Sequence, residues 1–196
     1  DAVLRLVEAS CDLLVTYHHP SQPFQLDPVR YEYVSLGTET IAPYAQADAQ
    51  GLPIFALPGR PASPLPYLGY APGAYLGRVV DLILKEAKTP NHLDRVYETD
   101  MAEGLKAMAM EGHGVAFLPQ SSVKKELRSK KLALAGAGLE MAMDIRAYRE
   151  KPVVKEGAKD SAKLGDRSAK RTALTLWDYL IDNAQATAQV AKKKAG

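Results

Sequence analysis

The sequence holds a single cysteine, Cys11, so no disulfide forms within the chain and a reducing, cytoplasmic setting is expected. No apolar run approaches the roughly 18 residues that a membrane-spanning helix needs, and no membrane partner is expected. A large charge of either sign is also missing. The 25 basic residues against 23 acidic ones leave +2, too little to draw the whole surface to nucleic acid. Any contact with DNA is therefore expected from a part of the protein not present in this chain. The N-terminus lacks an initiator methionine and lacks the basic start, apolar stretch and small-residue cleavage site of an export signal. With a helical period already running at Ala2, the chain reads as cut from something longer.

Signatures of catalysis are missing as well. There is no G-x-S-x-G elbow and no phosphate-cradling loop, and Gly136-Ala137-Gly138 lacks the third glycine of a dinucleotide fingerprint. The four histidines, His18, His19, His92 and His113, fall at no metal-ligand spacing, so neither a metal nor another cofactor is expected. His113, between two glycines, reads as a turn residue. An enzyme is not expected.

What is present is enough apolar material, 46% of 196 residues, to fill a real core. Val3, Leu6 and Val7 share one helical face, and Leu13 to Tyr17 form a short run of buried-strand type. Strand-like segments at 31–36 and 38–44 are parted at Gly37. Pro53, Pro58, Pro61, Pro64 and Pro66 then favour extended, surface-crossing chain. From Leu65 the pattern alternates regularly: a strand to Tyr70, a helix from Ala74 to Thr89, a strand at 93–98, a helix at Met101, Leu105 and Met108, and a buried strand at 115–119. Strand, helix, strand, helix, strand predicts a parallel α/β unit. Asp100 with Glu103 three residues on predicts a cap for the second of these helices, and Ser121 or Ser122 a cap for a further one. Strand-like stretches follow near 131–135 and 143–149. Residues 151–171 read as a mobile loop, and a last helix turns Leu174, Trp177, Leu180, Ile181 and Ala184 inward before a basic tail at 191–196.

Two stretches carry a resemblance: Tyr97-Glu98-Thr99-Asp100-Met101-Ala102-Glu103-Gly104-Leu105-Lys106, and Glu111-Gly112-His113-Gly114-Val115-Ala116-Phe117-Leu118-Pro119. The chain resembles the effector domain of LysR-type transcriptional regulators over about residues 1–150, and within it the branch containing the hypochlorite-responsive regulator. The resemblance implies an α/β fold of two Rossmann-like subdomains with a cleft between them, similar to periplasmic binding proteins. The first subdomain is expected at 1–45 and 120–190, truncated at its N-terminus, and the second at 46–119. It further implies an N-terminal winged helix-turn-helix outside this chain that contacts DNA, and a homodimer or homotetramer. Partner contact is expected along the helices at 74–87 and 121–130.

Ligands of open parallel sheets bind beyond the carboxyl ends of strands. Three such ends hold Tyr17 and His18, then Tyr70, Gly73 and Tyr75, then Thr99, Asp100 and Met101. By resemblance Thr38 and Glu39 lie near the crossing strands and Phe117 near the floor of an effector cleft. A capping Asp100 would occupy the helix's positive end, so the expected effector is neutral or cationic, or is an oxidant acting on Met101. Cys11 reads as inert core. The rival readings are a transport-type solute-binding protein and a fragment of an α/β enzyme.

Overall fold

In a computed structural model of the chain, residues 2–23, 26–152 and 171–184 are described. They fall into two compact units, 1–38 with 144–196 and 39–143. The chain passes between them at Thr38/Glu39 and Met143/Asp144, where the sequence had suggested 45/46 and 119/120. The reason for the later return is local: the segment after residue 119 stays with the second unit, because its short strand pairs with residues 44–46.

The unit 39–143 is built on parallel strands. Strand β2 (Tyr31–Gln46) enters it at Glu39, and β3 (Leu65–Tyr70), α2 (Tyr75–Glu86), β4 (Leu93–Thr99), α3 (Ala102–Met110), β5 (Val115–Pro119), α4 (Gln120–Arg128) and β6 (Leu132–Leu134) follow. β3 pairs in parallel with β4 on one side, from Leu65↔Leu93 to Tyr70↔Thr99, and with β5 on the other. β2 lies antiparallel to β5 and to β6. The uninterrupted apolar run Val115-Ala116-Phe117-Leu118 thus lies between two neighbours and is wholly buried, as a strand covered on both faces must be. Helical spacing sets Val79, Val80 and Ile83 of α2, and Leu105 and Ala109 of α3, into this core.

The two glycines before β5 have separate steric reasons. Gly112 takes φ +80°, a left-handed turn that ends α3, while a Cβ on Gly114 would stand 2.5 Å from the Pro66 carbonyl oxygen. His113 lies in the turn between them, its N–H donating to the Met108 carbonyl at 3.1 Å.

The other unit contains α1 (Ala2–Val7), β1 (Leu14–His18), the first part of β2, most of β7 (Met141–Glu150) and a helix over residues 171–184, α5. β1 runs antiparallel to β7, from Leu14↔Tyr148 to His18↔Asp144. β7 continues the sheet to β2, where Arg149 donates to Glu32 at 2.6 Å. Leu6, Leu14, Tyr31 and Tyr148 form the core, with Val3, Leu26 and the half-buried, free Cys11 against it.

Several expectations need correction. The segments at 31–36 and 38–44 are one strand, since Gly37, at φ +148°, a value open to glycine, carries β2 on without a break. The buried-type run at β1 is an edge strand with Val15 58% exposed. On α5, Trp177 is buried beneath the Arg149 guanidinium, 4.4 Å from its ring centre, but Leu174 faces out. Of the mobile loop expected at 151–171, residues 153–170 lie outside the described residues, as does the tail at 191–196.

Phe117→Ala is expected to cost about 3–5 kcal/mol through the cavity it leaves. Val15→Ala on the exposed edge is expected to cost within about 0.5 kcal/mol. Denaturant midpoints of the two variants check this contrast.

Candidate functional site

Because β3, β4 and β5 are parallel, their carboxyl ends share one edge of the unit 39–143, and α2, α3 and α4 begin there. Tyr70 closes β3, and its buried hydroxyl donates to the Phe117 carbonyl at 3.0 Å. The Ala71 N–H donates to the Thr99 carbonyl at 2.9 Å, joining the ends of β3 and β4. Gly73, at φ +84°, turns the chain into α2, and its carbonyl accepts from Arg78 Nη1 at 2.7 Å. One helical turn on, the Arg78 guanidinium lies over the Tyr75 ring, 5.4 Å from its centre. Thr99 Oγ1 accepts from the Met101 N–H at 3.3 Å, and the Met101 side chain is 64% exposed.

At the same edge stands the one buried charged residue among those described, Glu39, 6% exposed. Its carboxylate accepts from the N–H of Thr40 at 2.9 Å, from the N–H of Ser121 at 3.3 Å, and from the Ser121 hydroxyl. Ser121 lies in the first turn of α4, so a carboxylate from β2 caps that helix in place of the helix's own side chains. Burial, with the charges of Glu39 and Glu140, pushes the Tyr44 hydroxyl above its ordinary range.

Asp100 does not cap α3. Met101 holds an extended conformation at φ −101°, ψ 114° and is itself the N-cap residue, with no side-chain cap bond. The helix starts one residue later than Asp100 and Glu103 suggested, and Glu103 pairs with Lys106 at 2.6 Å instead. Met101 accordingly precedes the first helical residue. The cap bond expected from Asp100 is thus absent, yet Glu103 places a carboxylate in the first turn of α3, whereas the first turn of α2 holds no acidic residue. Neither Ser121 nor Ser122 is the cap residue of α4; that position is Pro119.

Eight of the predicted site residues, Glu39, Tyr70, Gly73, Tyr75, Thr99, Asp100, Met101 and Phe117, belong to this unit; Phe117 is fully enclosed, and Asp100 is exposed. Tyr17, His18 and Thr38 belong to the other unit. There His18 Nδ1 is buried and accepts no hydrogen bond from a described residue. Burial, reinforced by Arg146 and His19 and opposed by Asp144, lowers its pKa. Sequence reasoning missed Arg78, and it named Ser121 as a helix cap but missed its pairing with Glu39. The spacing from Tyr75 to Arg78, one turn, signalled the first, but nothing local signals the pairing, whose two members are 82 positions apart. Among the described residues no group of three or more His, Cys, Asp or Glu is arranged to hold a metal, and no helix is long and apolar enough to cross a membrane.

Parallel crossovers, a returning antiparallel strand and the Gly-x-Gly turn before a buried strand define an α/β domain with a mixed sheet. The LysR substrate binding domain matches residues 1–152, and the chain belongs to that family, whose members are regulatory domains and not enzymes. It is 28% identical over 148 residues to the HTH-type transcriptional regulator YjiE of Escherichia coli K12, covering 76% of this chain and 46% of that protein. It is 27% identical to the HTH domain-truncated transcriptional regulator QseD of Escherichia coli O157:H7, covering 76% and 57%. The chain thus spans about half the length of these relatives. Its fold is similar to that of the regulatory domain of HypT from Salmonella typhimurium, with a TM-score of 0.72 at 24% identity, covering 94% of this chain and 78% of that one.

Glu39→Ala leaves the first turn of α4 uncapped and is expected to lower stability by about 1–2 kcal/mol, read from denaturant unfolding. Because the folded state holds His18 below its ordinary pKa, the unfolded chain takes up the proton first as pH falls below about 6.5. Stability therefore drops on acidification, and His18→Gln is expected to flatten that part of the pH profile.

Proposed function

We propose that this chain is the signal-sensing part of a LysR-type transcriptional regulator, reading a small-molecule effector or an oxidant and passing the result to a DNA-binding domain outside the chain. The expected setting is the cytoplasm, and the expected assembly is a homodimer or homotetramer. In this reading the signal is received at the carboxyl ends of the parallel strands, with the cleft implied by the LysR resemblance as its seat. The N-terminus of α2, with neither a side-chain cap nor an acidic residue in its first turn, and the aromatic and hydroxyl groups of Tyr75 and Thr99 suit a small ligand with acceptor groups. Membership of the LysR family sets aside the transport-type solute-binding protein and the enzyme fragment.

The observation that carries the oxidant branch is the exposure of Met101 at the mouth of α3. Oxidation there would turn a soft apolar thioether into a polar sulfoxide directly before a helix whose first amides lack a side-chain partner. The effect on DNA binding would follow only to the extent that the oxidised form prefers one geometry of the assembly.

Mild hypochlorite treatment of the full-length regulator, followed by peptide mass spectrometry, is expected to modify Met101, 64% exposed, well before Met143, 1% exposed. Met101→Gln is expected to mimic the oxidised state in DNA binding. An unmodified Met101 with unchanged DNA binding sinks the oxidant branch and leaves the small-molecule branch to titration with candidate effectors.

A further inference from the structure

The unit 39–143 holds a cavity of about 540 Å³, a size that takes a small molecule, at the end of the unit away from the carboxyl ends of its parallel strands. Helix α2 begins at those strand ends with Tyr75 and finishes at the cavity with Glu86, twelve residues or roughly 18 Å on. Backbone hydrogen bonds hold the walls: the Leu57 N–H donates to the Ala135 carbonyl at 2.7 Å, and the His92 N–H to the Pro58 carbonyl at 2.8 Å. Gly138, at φ +77°, bends the rim, and a Cβ there would meet nothing within 4 Å.

The helix that finishes in this cavity is left open. The last turns of α3 and α4 are closed by the chain beyond them, Ala107 and Ala109 accepting from the N–H groups of Glu111 and Gly112, and Lys125 and Leu127 from those of Ser129 and Lys130. The carbonyls of Ile83 to Glu86 accept no such bond from the described residues beyond α2, so the negative end of this helix is unquenched. Glu86 and Glu140 border the same cavity, and neither forms an ion pair with a described residue. Of the residues lining it, Lys88 alone is basic. Asn91 adds an acceptor at the wall: its Nδ2 donates to the Thr89 carbonyl at 3.2 Å, which leaves Oδ1 buried without a donor among the described residues. Leu57, Ile83 and Leu139 supply apolar surface.

This pattern of acceptors discriminates between ligands. Two carboxylates and an open helix C-terminus repel an anion and attract a cation. A bare metal ion is disfavoured, since no group of three or more acidic, His or Cys side chains is arranged to hold one among the described residues. The apolar wall calls for a carbon body. We propose that the cavity binds a small organic cation, a primary ammonium or guanidinium group on an aliphatic body, with its N–H groups on the end of α2 and on Glu86 and Glu140. The site is separate from the strand ends that receive the signal in the reading above, so the two fail independently. The contact with a second copy expected along residues 74–87 follows the length of α2, whereas the cavity meets only its last turn.

Titration of the ¹⁵N-labelled 196-residue chain with hexylammonium, followed by nuclear magnetic resonance, tests this. Saturable shifts are expected at the amides of Lys88, Asn91, Gly136 and Gly138, with those of Thr99 and Met101 unmoved. Hexanoate and hexanol are expected to bind at least about fivefold more weakly, as the charge of the head group is what the acceptors read. Glu86→Gln with Glu140→Gln is expected to weaken hexylammonium by about fivefold with circular dichroism unchanged, both side chains being exposed. No saturable shift at these amides, equal binding of hexanol, or an unchanged affinity in the double variant would each overturn the proposal. An affinity that falls as the protein is concentrated would overturn it in favour of a second copy covering the cavity.

Discussion

Parallel pairing of β3 with both β4 and β5 is the constraint on which the arrangement of the unit 39–143 depends. Two parallel neighbours cannot be joined by a tight turn, so each connection has to climb back over the sheet, and a helix does this at the lowest cost in unsatisfied backbone groups. Every helix that follows a strand then starts at the same edge. That is why residues as distant in sequence as Tyr70, Thr99 and Ser121 belong to one end of the unit, and why the chemistry available there is dominated by helix beginnings and not by a cluster of reactive side chains. The central strand β5 pays for this geometry with complete burial, which fixes its composition.

Much of this was legible in the residues. The alternation from Leu65 to Pro119 appears in the structure with strand limits at 65–70 and 115–119 as expected, because apolar runs bounded by proline and glycine leave little freedom. The Gly112-His113-Gly114 string was visible as a tight bend, though the reason for its second glycine, the nearby Pro66 carbonyl, comes from a neighbouring strand and has no trace in local sequence.

The misreadings have one kind of cause, a tertiary choice among locally equivalent options. Asp100 and Glu103 have the spacing of a capping box, yet the extended backbone of Met101 delays the helix by a residue and gives the Met101 amide to Thr99. Leu13 to Tyr17 has the composition of an interior strand, yet among the described residues β1 pairs with β7 alone and stands at an edge. The pairing of Glu39 with Ser121 is a different case, a partnership on which the sequence reading was silent because no window of local sequence could contain it.

The capping of α4 by Glu39 ties the register of β2 to the position of that helix. Side chains alternate along a strand, so a slip of β2 by one residue would swing Glu39 to the opposite face, stranding a carboxylate and baring the amides it holds. Intermediate offsets satisfy neither group. The register of the entering strand and the placement of α4 are therefore fixed together by one carboxylate.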